Sequence, residues 1–237
     1  MSQTILITGA NRGIGLALTR ELLEQGHKVI ATSRDPDASS GLKELEIPYH
    51  DALFIVKLDV TSDALVREAA RVVAEKYPAI DVLVNNAAVF PEEGNESIVE
   101  IDLAHFETAF DTNVTGTVRV TRAFLPLLEK AKVPRIVNIS SGAGSVSDKD
   151  DHGYYAYSTS KAALNMVTRA IAAELRPRKI CVVALSPGWV KTDMGGPNAP
   201  LTPAESARSI AGTIVKLSLD HTSLFLDRDG EENEYGW

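Results

Sequence analysis

The sequence predicts an α/β protein, a doubly wound parallel sheet of about seven strands with helices on both faces in three layers. Short apolar runs rich in β-branched residues recur at 4–8, 28–32, 53–59, 81–85, 135–140, 180–186 and 224–226. Helical patterns of about 12 to 25 residues separate them. Strands that are apolar throughout, joined by crossover helices, belong to parallel sheets buried on both faces. The chain has 237 residues, 44% of them hydrophobic, which suits one large domain spanning 1–237. It contains no repeat, low-complexity tract or linker.

In chain order, the first strand runs into Thr8-Gly9-Ala10-Asn11-Arg12-Gly13-Ile14-Gly15. The first helix follows, with Ile14, Leu18 and Leu22 inward, Arg20, Glu21 and Glu24 outward, and Gly26 as its stop. The second strand ends Ala31-Thr32-Ser33-Arg34 and leads into a loop over 35–41. Residues 103–128 are long for one helix, and Pro126 is expected to kink or end it. A cleaner helix occupies 159–174 and stops before Pro177. Loops at 142–153 and 195–203 follow strand ends, on the side where open α/β sheets bind ligands, so they are candidate pocket walls. The lone cysteine, Cys181, lies in a strand and reads as a core thiol, and no intrachain disulfide is possible.

A net charge of −8 disfavours nucleic acid and anionic membrane surfaces as partners. The first strand starts within a few residues of Met1 with no signal-like segment, and no apolar run approaches the ~20 residues of a membrane span. A soluble, cytoplasmic protein is expected. The long helices offer faces either to the sheet alone or to a second subunit.

Gly9, Gly13 and Gly15 stand between the first strand and first helix, where missing side chains let backbone N–H groups approach a pyrophosphate at the helix N-terminus. With the strand before and the helix after, this loop of Gly9, Asn11, Arg12, Gly13, Ile14 and Gly15 reads as a Rossmann-type dinucleotide site. An acidic residue at the end of the second strand would hold the ribose hydroxyls of NAD; Ser33 stands there, followed by Arg34. Arg34 and Arg12 can converge on a 2′-phosphate, so NADPH/NADP+ is expected, with NAD(H) as the lesser alternative.

Tyr157 and Lys161 are four residues apart in Tyr157-Ser158-Thr159-Ser160-Lys161, hence on one helical face. An adjacent ammonium favours phenolate, so Lys161 is expected to lower the Tyr157 pKa. Tyr154 and Tyr155 have no such lysine.

Together, Thr8-Gly9-x-x-x-Gly13-x-Gly15, Asn85-Asn86-Ala87-Ala88, Asn138-Ile139-Ser140-Ser141, Tyr157-x-x-x-Lys161 and Ser186-Pro187-Gly188 resemble the classical short-chain dehydrogenase/reductase family over essentially the whole chain. The closing Phe225-Leu226-Asp227-Arg228-Asp229-Gly230 and Trp237 are most similar to its sniffer-type carbonyl reductases and the C-factor group. The resemblance implies hydride transfer to a small carbonyl substrate, or the reverse with an alcohol. It makes Tyr157 the general acid or base, with Lys161 holding it and the nicotinamide ribose. Ser141 would bond the substrate oxygen, and Asn113 would fix local backbone and a water. Taken singly, Ser141 reads better as a turn cap and Asn113 as a helix cap. For the cofactor the resemblance adds Asp59 and Val60 at the adenine, Asn86, Ala87 and Ala88 along the ribose, and Pro187, Gly188, Val190 and Thr192 near the carboxamide. Asp59 also reads as a capping acid before Thr61.

Two departures stand out. Ala88 replaces the family's usual glycine, and the stretch from Ser141 to Tyr157 is longer than usual by an insertion containing Asp148-Lys149-Asp150-Asp151-His152-Gly153. One His among aspartates makes no metal site. Trp189 is expected either against cofactor and substrate or in the core, and Tyr154 or Tyr155 either lining the pocket or packed. The short lid over 193–203 predicts an open pocket for varied small aldehydes, ketones or quinones. The leading expectation is an NADPH-dependent carbonyl reductase, assembled as a homodimer or homotetramer. An NAD-dependent alcohol dehydrogenase and an NADP-binding sensor or signalling protein are the alternatives.

Overall fold

The computed structural model describes every residue except Met1, Glu93, Asn95, Asp151 and Tyr235. Seven strands form one parallel sheet: β1 (Thr4–Ile7), β2 (Lys28–Ser33), β3 (Leu53–Lys57), β4 (Val82–Asn85), β5 (Arg135–Ile139), β6 (Cys181–Leu185) and β7 (Phe225–Leu226). Their order is β3-β2-β1-β4-β5-β6-β7, so the winding reverses between β1 and β4. Each expected strand is present, with ends within about two residues of those read from apolar runs.

Alternating side chains feed two cores. On one face Ile5, Ile7, Val29, Val84, Val183 and Leu185 pack against α1 (Gly13–Glu24), α2 (Ser40–Tyr49) and α7 (Pro203–Ile214). On the other, Leu6, Ile30, Leu83, Ile136 and Val182 meet α3 (Asp63–Lys76), α5 (Gly116–Leu128) and α6 (Tyr155–Leu175). Residues one apart along a strand serve opposite cores, which is why the runs are apolar throughout. Leu18 and Leu22 of α1 are buried, while Ile14 is only partly so because it lies beside the cleft. Cys181 is buried in β6, and burial pushes its thiol up to about 12, so it is a core group.

Three expectations change. The 103–128 stretch is helical from α4 (Ala104–Phe110) to Leu128, but its irregularity is a π-helical turn at Asp111–Thr115, not Pro126. Pro126 is accommodated in the last turn of α5, where it and Arg122, whose carbonyl it deprives of a donor, are both exposed. The segment after β2 becomes helix α2 from Ser40, and α6 begins at Tyr155, earlier than its clean period predicts.

Candidate active site

The C-terminal ends of β1 to β6 open onto one cleft of about 540 Å³ that crosses the switch point between β1 and β4. At its centre the turn after β1 is laced to the loop after β4. Thr8 Oγ1 accepts from the Asn86 and Ala87 N–H groups, each at 3.0 Å, and Asn86 Nδ2 donates to the carbonyls of Thr8 (2.9 Å) and Gly9 (3.1 Å). Asn86 thus fastens the glycine turn as well as lining the cleft. Gly9 takes φ +63°, and a Cβ on Gly15 would lie 2.3 Å from the Gly9 carbonyl oxygen, so neither tolerates a side chain. Arg12 at the cap position makes no side-chain bond to α1, so the helix's first N–H groups suit an anion.

At the outer end, Ser33 Oγ lies 2.9 Å from Ser39 Oγ and accepts from the Asp35 N–H at 3.2 Å. Its hydroxyl therefore shapes the loop, and Arg34 stands exposed on the cleft wall. Arg12 also lines the cleft and pairs with Asp193 at 2.6 Å, joining the glycine turn to the short lid. Asp59 Oδ1 accepts from the Thr61 N–H (2.9 Å) and hydroxyl (2.7 Å), so it shapes its turn while lining the cleft with Val60. Asn11, Gly13, Ile14, Ala87, Ala88, Pro187 and Thr192 complete the expected wall; Gly188 and Val190 are not in it. Val190 is buried and bridges to Leu201, so this strand-like pair holds the lid's base instead.

At the inner end α6 presents Tyr157 and Lys161 to the cleft. Lys161 is 2% exposed; its Nζ donates to the Ile139 carbonyl at 2.9 Å and sits 5.7 Å from the Tyr157 ring centroid. Burial lowers the lysine pKa to about 8. The Tyr157 pKa moves upward, contrary to the expected lowering by Lys161: burial dominates, a hydrogen bond with Ser141 opposes it, and the Glu92 charge adds to the rise. Ser141 Oγ also accepts from the Ala143 N–H at 3.1 Å, so it caps a turn and contacts the phenol at once.

The π-helical turn aims Asn113 inward, where it is 1% exposed. It accepts from the Val89 N–H (2.8 Å) and donates to the Val89 carbonyl (3.0 Å) and Ser160 Oγ (3.0 Å). Asn113 therefore ties the loop after β4 to α6, behind the cleft wall rather than in it.

Sequence reasoning missed Glu92 and Phe90. Glu92 is 4% exposed, and its Oε1 accepts from the Ala156 (2.6 Å) and Tyr157 (3.1 Å) N–H groups. The Phe90 ring packs edge-on to Tyr157 at 4.8 Å and against Tyr154 at 5.2 Å. Tyr154, at φ +50°, thus packs instead of joining the cleft wall, and Tyr155 is likewise outside it. Trp189 is neither cleft wall nor core: it is 58% exposed, with its indole N–H donating to the Gly195 carbonyl at 2.7 Å. In the insertion, Asp148, Lys149, Asp150 and His152 are exposed, and Asp151 lies outside the described residues. Among the described residues no cluster suits a metal, and no helix is long and apolar enough to cross a membrane.

The family model for short chain dehydrogenases matches residues 3–200. The carbonyl reductase Sniffer of D. melanogaster is similar with a TM-score of 0.93 and 33% identity, covering 100% of both chains. An NADPH-bound carbonyl reductase from chicken fatty liver gives a TM-score of 0.92 and 36% identity, over 100% of this chain and 99% of that one. The C-signal protein of Myxococcus xanthus is 40% identical over 153 residues, 65% of this chain and 91% of that protein.

Proposed function

The chain belongs to the short-chain dehydrogenase family, and we propose that it is an NADPH-dependent reductase converting an aldehyde, ketone or quinone to an alcohol. One observation carries this reading: a single cleft has Tyr157 and Lys161 at its inner end and two arginines, Arg12 and Arg34, at its outer end. The glycine cradle, the N-terminus of α1 and the arginines suit a dinucleotide bearing a 2′-phosphate. NADPH, when bound, supplies the hydride. Arg34, and Arg12 once released from Asp193, would hold the phosphate, and Lys161 would hold the ribose beside Tyr157. Ser141 and Tyr157 bond the carbonyl oxygen, and Tyr157 donates its proton as charge develops there. A phenol whose pKa is raised remains protonated at neutral pH, which suits an acid in reduction better than a base in oxidation. In this reading residues 1–237 are one catalytic domain, cytoplasmic, assembled as a homodimer or homotetramer.

Initial rates of NADPH consumption across aldehydes, diketones and quinones test the reaction; turnover of several small substrates is expected from the short lid. Turnover confined to one bulky substrate would overturn the open-pocket reading. Arg34→Ala is expected to weaken NADPH binding about 10- to 100-fold and leave NADH binding unchanged, since charge-assisted bonds contribute about 1.5–3 kcal/mol. Equal native affinities for the two cofactors would favour an NAD-dependent alcohol dehydrogenase. The 40% identity to C-signal supports a second reading, an NADP-binding sensor or signalling protein. NADPH binding without consumption across the whole panel would favour it.

A further inference from the structure

We propose that Glu92 is a positioning residue for Tyr157, capping α6 from the loop after β4 and setting the charge around the phenol; this rests on the carbonyl-reductase reading. Helix α6 has no side-chain cap of its own, because Tyr154 occupies the cap position at φ +50° and offers no local acceptor. Glu92, 64 and 65 residues earlier, supplies it: Oε1 accepts from Ala156 at 2.6 Å and Tyr157 at 3.1 Å, and Oε2 lies 3.3 Å from the Tyr157 nitrogen. A carboxylate at a helix N-terminus is favoured by the dipole, and a buried one needs such donors.

The same loop is pinned at its other end by Asn113, which holds both backbone groups of Val89 and reaches Ser160 on α6. Ser160 Oγ in turn donates to the Tyr157 carbonyl at 2.7 Å. Between the pins lies Phe90, edge-on to the Tyr157 ring. Glu92 and Asn113 thus fix the backbone of Tyr157 and the ring that flanks it. The charged groups facing Tyr157 are Lys161 from its own helix and Glu92 from the loop, and Ser141 after β5 adds a neutral hydrogen bond. The carboxylate disfavours phenolate, and so adds to the rise that burial imposes on Tyr157.

The test is the phenolate absorbance of Tyr157, isolated by subtracting the titration of Tyr157→Phe, in native protein, Glu92→Gln and Glu92→Asp. This readout needs no turnover, so it stands apart from failure of the reductase reading. Glu92→Gln keeps an acceptor but removes the charge, and is expected to lower the Tyr157 midpoint by roughly half a pH unit or more. The alkaline limb of carbonyl reduction should move down by the same amount, with kcat changing more than KM. Glu92→Asp keeps the charge on a shorter arm, and should lose thermal stability like Glu92→Gln while titrating closer to native. A Tyr157 midpoint that is the same in both variants and in native protein, with only stability lowered, would overturn the proposal and leave Glu92 a structural cap.

Discussion

Tyr157→Phe is expected to slow carbonyl reduction about 10²- to 10⁴-fold while NADPH affinity stays within about threefold of native, as measured by steady-state rates and by cofactor titration. The substitution removes one hydroxyl and keeps the ring. The edge-on contact with Phe90 at 4.8 Å and the backbone bonds to Glu92 do not depend on that oxygen, so the fold around the site should stand. What disappears is a cleft hydroxyl that keeps its proton at neutral pH beside a neighbouring ammonium. An active Tyr157→Phe protein would remove the phenol from the mechanism. Neither Tyr154 nor Tyr155 can replace it, since both lie outside the cleft wall.

Lys161→Met is expected to separate stability from activity. Lys161 is 2% exposed, and burial draws its pKa from 10.5 to about 8. The sign follows from proton binding. Between about pH 8 and 10.5 the unfolded chain still carries this proton and the folded chain does not, so stability from this group rises across that window. Below pH 8 the folded protein carries the full cost of a buried ammonium, about 3 kcal/mol by the shift alone. The bond from Nζ to the Ile139 carbonyl at 2.9 Å offsets about 1 kcal/mol of what Met would recover. The cofactor-free variant should therefore be more stable than native by about 2 kcal/mol at pH 7, and the gap should close by about pH 10. Carbonyl reduction should fall at least about a hundredfold and NADPH binding should weaken. Denaturant unfolding of both proteins at pH 7 and pH 10 checks the stability half; a variant less stable at pH 7 would mean that the lysine is not held at a cost.

The sheet was legible because each strand serves two cores, so that Val29-Ile30-Ala31 or Val182-Val183 leaves no polar face to confuse with a surface helix. The glycine turn and the Tyr157–Lys161 pair were legible because their geometry is local, set within one turn or one helical face. Glu92 was not. Its partners lie 64 and 65 residues away, and one Glu of an acidic loop reads as a solvated charge until the fold brings α6 over it. The direction of the Tyr157 shift was misjudged for the same reason: spacing reveals the lysine, but only packing reveals the burial that raises the pKa. Trp189 follows Pro187-Gly188 and so was expected against cofactor and substrate or in the core, but the lid's base turns it outward to the Gly195 carbonyl. Pro126 misled because a helix-breaking residue in the final turn has little helix left to break.

The central claim is that this cleft delivers a proton from Tyr157 to a carbonyl oxygen as NADPH is consumed. The most direct measurement is product analysis, by mass spectrometry, of native protein and Tyr157→Phe, each incubated with NADPH and the best acceptor from the carbonyl panel. One alcohol formed per NADPH consumed by the native protein, and almost none by the variant, is the predicted result. NADPH consumed without alcohol, or alcohol made by Tyr157→Phe at the native rate, would contradict it.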